Sequence, residues 1–521
     1  MPRKNPPRRL PPTTHSLLPT VFFPSFAFRR GDAATRRRVF LSLLLVLTTL
    51  LSGCIGGARR RPNLERIFAA ARARTGKRPL IVIPGVLGSQ LINYETNEVV
   101  WPSLFRSSDD GLSLPVTPDL ARNHDNLVAR KIVDTARLAR LAPEVYVYHE
   151  LLEALKKYGG YREGDWSNPG ADGDRDTFYV FPYDWRRDNV ETARDLIGRL
   201  ETLKRKLNRP DLRFNIVAHS MGGLVARYAA MYGDADLPAD GVQPGPTWDG
   251  AAHINRVIMF GTPNEGSADA FTTLLQGYSV TEGLRRPIPL LNKLSREDIF
   301  TAPSVFQLLP HAGFVRFLDE NLQPVEVDLY DPAAWRRYNW SPVTDPDYRE
   351  RFVRGRTRGD NAPFRGGTLE ELDAYFTTVL HRAKRFHEAL DAAGGDDPPV
   401  KLFAFGGDCE DTLVSPLILF DRKKGRWVTL TRPRAFQTSS GRRVTLKEVT
   451  EAMSAPGDGR VTRRSLLGEG LTAGNGRDHS LFGTSLPIVY AAFACDLHGE
   501  LQNNKTLLDN ALTTLVNEAI K

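Results

Sequence analysis

Cysteine is scarce: the chain of 521 residues has three, at positions 54, 409 and 495. That excludes a small scaffold stapled by disulfides. No group of His, Cys and Asp stands at metal-ligand spacing, so neither a metal nor another cofactor is implied. Long hydrophobic runs are missing too. The strongest, residues 39–51, covers roughly a dozen positions, too few to cross a bilayer comfortably. The chain also lacks an excess of charge where it would count. Its net +9 is concentrated in residues 1–53, where nine Arg or Lys face only Asp32, and the rest of the chain stands at +1. A nearly neutral body argues against nucleic acid as a partner. No internal repeat is evident.

What is present near the start has the three parts of an export signal. Arg36, Arg37 and Arg38 flank the apolar run, and Leu51-Ser52-Gly53-Cys54 closes it with small residues. That tetrapeptide resembles the bacterial lipoprotein box, which implies lipidation of Cys54, attachment to the membrane surface and an exported, lipid-anchored protein of the cell envelope. An uncleaved signal anchor is the alternative. The expected organisation is a leader over 1–53, a linker over 54–78 and one large domain over 79–521. Cys409 and Cys495 then remain as one disulfide or two buried thiols.

Beyond the linker, strand and helix alternate. Leu80–Ile83 is a continuous apolar run stopped by Pro84-Gly85, as a fully buried parallel strand requires. Further strands are expected at 177–181, 214–218, 254–261 and 400–405, with helices at 190–207 and 224–231. This predicts an α/β fold with a mostly parallel central sheet, helices on both faces and catalytic groups at the carboxyl ends of the strands. Two stretches break the alternation, about 95–170 and 264–398, and are expected to be insertions, the second a cap or lid.

Residues 214–218 lead straight into Ser220, and a helical pattern follows at once. A serine turned out on a sharp strand-to-helix bend leaves no room for side chains two positions away, which accounts for Ala218 and Gly222. Four segments, Pro84–Ser89, Pro182–Arg186, Ala218–Gly223 and Gly457–Val461, with a weaker fifth at His498, occur in an order that resembles the lecithin:cholesterol acyltransferase-like α/β-hydrolases. The resemblance spans about residues 79–510; Arg460 departs from it, standing where threonine is common.

The resemblance implies a lipid acyl-ester hydrolase or O-acyltransferase working through an acyl-enzyme. A serine needs a base within hydrogen-bond reach. His253 lies at the wrong end of the sheet and His311 in the cap, while His381 and His387 fall in a charged helix that reads as a solvated face. His498 remains, in a strand–loop–helix setting, with His479 next. Asp458 lies between serine and histidine in chain order, as this fold expects; Asp408 and Asp411 are its rivals. The oxyanion donors are expected to be the amides of Met221 and, by the resemblance, Leu87, with Val86 open. Trp101 is a candidate to pack against an acyl chain. Tyr183, Asp184 and Trp185 are candidates to border the site, although Asp184 and Arg186 could simply pair to hold a loop. A general carboxylesterase or polyester hydrolase, or a non-catalytic envelope protein on the same fold, are the competing readings.

Overall fold

The computed structural model describes residues 62–102, 111–137, 144–279, 293–311, 316–355, 367–395, 397–470, 484 and 486–517. The leader, Cys54 and His479 lie outside them.

Among the described residues, seven strands form one sheet: β1 (Leu80–Ile83), β2 (Arg162–Glu163), β3 (Thr177–Val180), β4 (Phe214–His219), β5 (Ile254–Phe260), β6 (Lys401–Gly406) and β7 (Ile488–Phe493). They lie side by side in the order β7-β6-β5-β4-β1-β3-β2, and every neighbouring pair is parallel. β1 and β4 are buried at every residue, the pattern of a sheet covered on both faces.

The pleat sends alternate residues to opposite sides. Ile81 and Ile83 join Ile216 and Met259 in one core, with Leu196 and Leu200 of helix Asn189–Lys206 and Leu224 of helix Met221–Tyr232. Leu80 and Val82 point the other way, toward Leu151 of helix His149–Lys157 and Leu508 of helix Lys505–Val516. We number the main helices α1 (His149–Lys157), α2 (Asn189–Lys206), α3 (Met221–Tyr232), α4 (Ala268–Gln276), α5 (Leu369–Asp391) and α6 (Lys505–Val516). This doubly covered parallel sheet, with the serine on the β4–α3 turn, is the α/β-hydrolase fold.

Three features differ from the sequence reading. The segment expected as a linker is folded from residue 62. Its short helices at Leu64–Ile67 and Ala69–Arg72 bury Leu64, Phe68 and Ala71 against the α1 and α6 side. Lys77 is buried and pairs with Asp176 at 2.7 Å. The edge strand β7 was implied only by the strand–loop–helix setting of His498 and given no range, because its residues are only partly covered and carry no clean alternation. Finally, the stretch assigned to the cap ends in α5, which packs on α3: Phe386 stacks with Tyr228 at 5.8 Å, and the Tyr232 hydroxyl donates to the Ala389 carbonyl at 2.8 Å. α5 is therefore the last element before β6 and part of the helical layer. His387 on its inner face is buried and stacks on His311 at 4.3 Å, not on a solvated face, whereas His381 is half exposed.

Candidate active site

Ser220 follows β4 in a backbone conformation (φ 54°, ψ −127°) that non-glycine residues rarely adopt. Its amide donates to the Phe260 carbonyl at 2.7 Å, which pins the turn to β5. The sharpness of the bend explains the glycines after it. A Cβ on Gly222 would sit 2.5 Å from the Pro84 oxygen, and one on Gly223 would overlap the Thr262 side chain. Gly85 packs as closely from the β1 side, where an added Cβ would lie 2.8 Å from Ser220 Cβ.

His498 follows β7 and opens a short 3₁₀ turn, His498–Asn503, before α6. Its Nε2 lies 2.9 Å from Ser220 Oγ, and its Nδ1 2.8 Å from Asp458 Oδ2. Because the carboxylate only accepts, Nδ1 carries the proton and Nε2 is left to accept from the serine. Asp458 is buried, and its other oxygen accepts from the amides of Arg460 and Val461 at 3.0 and 2.7 Å.

The route by which Asp458 arrives is not the simplest one. The chain leaving β6 runs out along Glu410–Leu413 and returns antiparallel along Ser454–Gly457, so the returning leg delivers Asp458 beside Gly407 at the end of β6. The nearer acids, Asp408 and Asp411, are exposed on the outgoing leg. Cys409 and Cys495 form a disulfide that ties this hairpin to the loop carrying His498.

These groups open onto a cavity of about 200 Å³ between the sheet and the cap. Trp101 lines it, along with Val86, Leu87, Val305 and Leu308. The Trp101 indole N–H is fixed by the Leu87 carbonyl at 2.9 Å, and Leu87 itself adopts φ 64°. Arg460, the departure from the family pattern, pairs with Asp269 of α4 and lies over the Tyr278 ring at 4.7 Å, all three in the cavity wall.

Tyr183, Asp184 and Trp185 do not line the cavity, and the reason is visible in their partners. The Tyr183 hydroxyl donates to the Pro84 carbonyl at 2.9 Å. Asp184 pairs with Arg186, and the Trp185 carbonyl accepts from Ser304 of the cap. They hold the loops behind the site together. Sequence reasoning passed over Tyr148 and His219, which do line the cavity. His219 is buried beside Ser220, and burial, reinforced by the nearby His498 ring, lowers its pKa to about 3.

Glu265, in the 261–266 turn after β5, is also buried. Burial raises its pKa from 4.5 to about 7, against the opposing pull of the Gly470 amide and Arg464. The folded protein therefore holds a proton there that the unfolded chain releases above about pH 4.5. Glu265 contributes stability at low pH that is lost as pH rises through 7. Glu265→Gln, which stays neutral, is expected to remove this loss. The difference in urea midpoint between variant and wild type should grow in the variant's favour from pH 5 to pH 8, by up to about 3 kcal/mol in free energy. Equal midpoint differences at both pH values would contradict it.

The lecithin:cholesterol acyltransferase family model matches residues 121–340, a stretch that includes the Ser220 turn and the Pro182–Arg186 segment. The resemblance drawn from the motifs is borne out. No curated protein matches the sequence. Among solved structures, a chain of the Tle4–Tli4 complex is 14% identical with a TM-score of 0.49, covering 86% of this chain and 100% of that one. Mature lipase BlEst2 of Bacillus licheniformis is 10% identical with a TM-score of 0.29, covering 85% and 92%. EstA from Clostridium botulinum is 12% identical with a TM-score of 0.31, covering 86% and 89%.

Proposed function

We propose that the protein is a serine-dependent lipid acyl-ester hydrolase or O-acyltransferase. The observation that carries the reading is the unbroken series Ser220 Oγ, His498 Nε2, His498 Nδ1 and Asp458 Oδ2 at 2.9 and 2.8 Å, whose serine and histidine stand in the wall of a largely apolar cavity. His498 takes the Ser220 proton as Oγ attacks the ester carbonyl. Asp458 stays ionised and stabilises the imidazolium that forms. The amides of Leu87 and Met221 hold the tetrahedral oxyanion: the first lies on the loop whose φ of 64° at Leu87 turns the backbone, the second at the first position of α3, where helix N–H groups lack partners within the helix. Collapse expels the alcohol, which receives its proton from His498 and leaves the acyl group on Ser220. Water, or an alcohol held under the cap, then enters by the reverse proton path. On the sequence of the leader we extend the proposal to an enzyme anchored at the cell envelope through Cys54.

The apolar walls favour long acyl chains over short soluble esters. Purified protein incubated with phospholipid vesicles containing a long-chain alcohol is expected to release fatty acid or form the new ester, both read by mass spectrometry. Turnover of short nitrophenyl esters with no vesicle product would instead favour a general carboxylesterase.

A further inference from the structure

His219 and Tyr148 are buried polar groups on which the mechanism above does not draw, and they sit between the oxyanion loop and the loop of the base. The Gly85 amide on the β1 loop donates to the Tyr148 hydroxyl at 2.8 Å. That hydroxyl lies 2.9 Å from His219 Nδ1. On the far side of the ring, His219 Nε2 lies 3.1 Å from the carbonyl oxygen of His498.

The donors and acceptors in this series admit one assignment. A carbonyl cannot donate, so His219 Nε2 carries the imidazole proton and Nδ1 must accept. The Tyr148 hydroxyl gives its proton to Nδ1 and takes the Gly85 N–H on its oxygen. Burial keeps both groups neutral: it pushes the Tyr148 phenol well above its ordinary range and His219 far below. Each proton therefore stays in place across the working pH range. Neighbouring contacts fasten the same two segments. Gln502 and Asn503, in the turn that His498 opens, donate to the Val147 carbonyl at 2.7 and 2.9 Å. The His498 amide donates to the Asp458 carbonyl at 2.9 Å, so the series reaches the acid loop as well.

We propose that Tyr148 and His219 are positioning residues that join the oxyanion loop to the loop of the base, so that the oxyanion donors and His498 are held in register around Ser220. The proposal rests on the catalytic reading of Ser220, His498 and Asp458. Four chain segments far apart in sequence, at 85, 148, 219 and 498, are joined in one series by these side chains' hydrogen bonds, beside the contacts of Gln502 and Asn503 with Val147. Their loss leaves each loop folded and still tied at the Val147 carbonyl, but loosens the seat of the β1 loop against the base, and a displacement on the order of 1 Å at a reacting centre costs about 100-fold in rate. Tyr148→Phe keeps its ring in the cavity wall, so in that variant binding of the acyl chain, which depends on the apolar walls, is untouched.

The test compares Tyr148→Phe, His219→Gln and His219→Phe with wild type, on a nitrophenyl ester and with a fluorophosphonate. Tyr148→Phe is expected to lower kcat by about tenfold or more, with KM within about twofold and the fraction of protein finally labelled at Ser220 unchanged. His219→Gln offers an amide oxygen to the tyrosine and an N–H to the carbonyl. It is expected to retain more activity than His219→Phe, which offers neither. The double variant Tyr148→Phe/His219→Phe should be no slower than His219→Phe, since the series is already cut. Wild-type kcat in Tyr148→Phe, equal loss in the two His219 variants, or strict additivity would overturn the proposal while labelling of wild type at Ser220 left the catalytic reading intact. Failure of wild type itself to label would instead remove that reading, and this inference with it. If Tyr148→Phe does not fold, the contrast between the two His219 variants decides the matter.

Discussion

Ser220→Ala is expected to abolish ester turnover and fluorophosphonate labelling together, with kcat falling by about 10⁶-fold. The loss follows from the geometry. His498 Nε2 accepts from Ser220 Oγ at 2.9 Å, and a base without its nucleophile has nothing to activate. The oxyanion donors would remain, so what turnover survives measures their contribution alone. Stability should respond differently. The backbone at residue 220 sits at φ 54° and ψ −127°, strained for any residue with a Cβ, and alanine keeps the strain that serine had. Ser220→Gly would relieve it. Thermal unfolding should therefore show alanine close to wild type and glycine more stable, by about 1 kcal/mol. Glycine less stable than alanine would mean that the turn is not strained. Substantial turnover in either variant would remove the proposed mechanism.

How much of this could be read from the sequence depends on how local each constraint is. The turn at Ser220 was legible because its requirements fall within a few residues: an apolar strand, a small residue on either side, a helix at once. β1, β3, β4, β5 and β6 were legible for the same reason, being short, mainly apolar runs that are mostly buried. His498 could be singled out because the fold places a base after its last strand, although the range of that strand, β7, was not legible. Asp458 was recognisable only by resemblance, since its approach to β6 depends on the hairpin of Glu410–Leu413 with Ser454–Gly457, a pairing that nothing near residue 458 announces. His219 stood in plain view beside Ser220. Its role was hidden because its partners, Tyr148 and His498, lie 71 and 279 residues away. The pairing of Cys409 with Cys495 was open on sequence and is decided by the same convergence of the β6 and β7 loops.

In the segment Tyr183-Asp184-Trp185-Arg186 the structural alternative, Asp184 paired with Arg186 to hold a loop, is the one found, and it supports the largest expected loss of stability. Arg186 is 1% exposed and uses all five of its N–H donors. Nε and Nη2 reach Asp184 at 2.9 and 2.7 Å, Nη1 and Nη2 reach Asp125 at 2.6 and 2.8 Å, and the last hydrogen of Nη1 goes to the Leu112 carbonyl at 3.1 Å. One guanidinium thus binds the end of β3 to the 112–125 stretch of the first insertion. The next contact outward carries the tie to the cap, where Ser304 donates to the Trp185 carbonyl. Arg186→Met fills much the same volume but leaves two carboxylates in a buried site without a counter-charge. That is expected to cost about 3–5 kcal/mol, read as a lower urea midpoint. Arg186→Lys restores the charge yet offers three donors from a single point, so it cannot fork to both carboxylates and should fall between the two. Because Trp185 lies edge-on to Trp101 at 5.8 Å, and Trp101 walls the cavity, the lysine variant should also raise KM for long-chain esters more than for short ones. A methionine variant as stable as wild type would show that the two carboxylates find other partners, and the hub would not be what joins the insertion to the sheet.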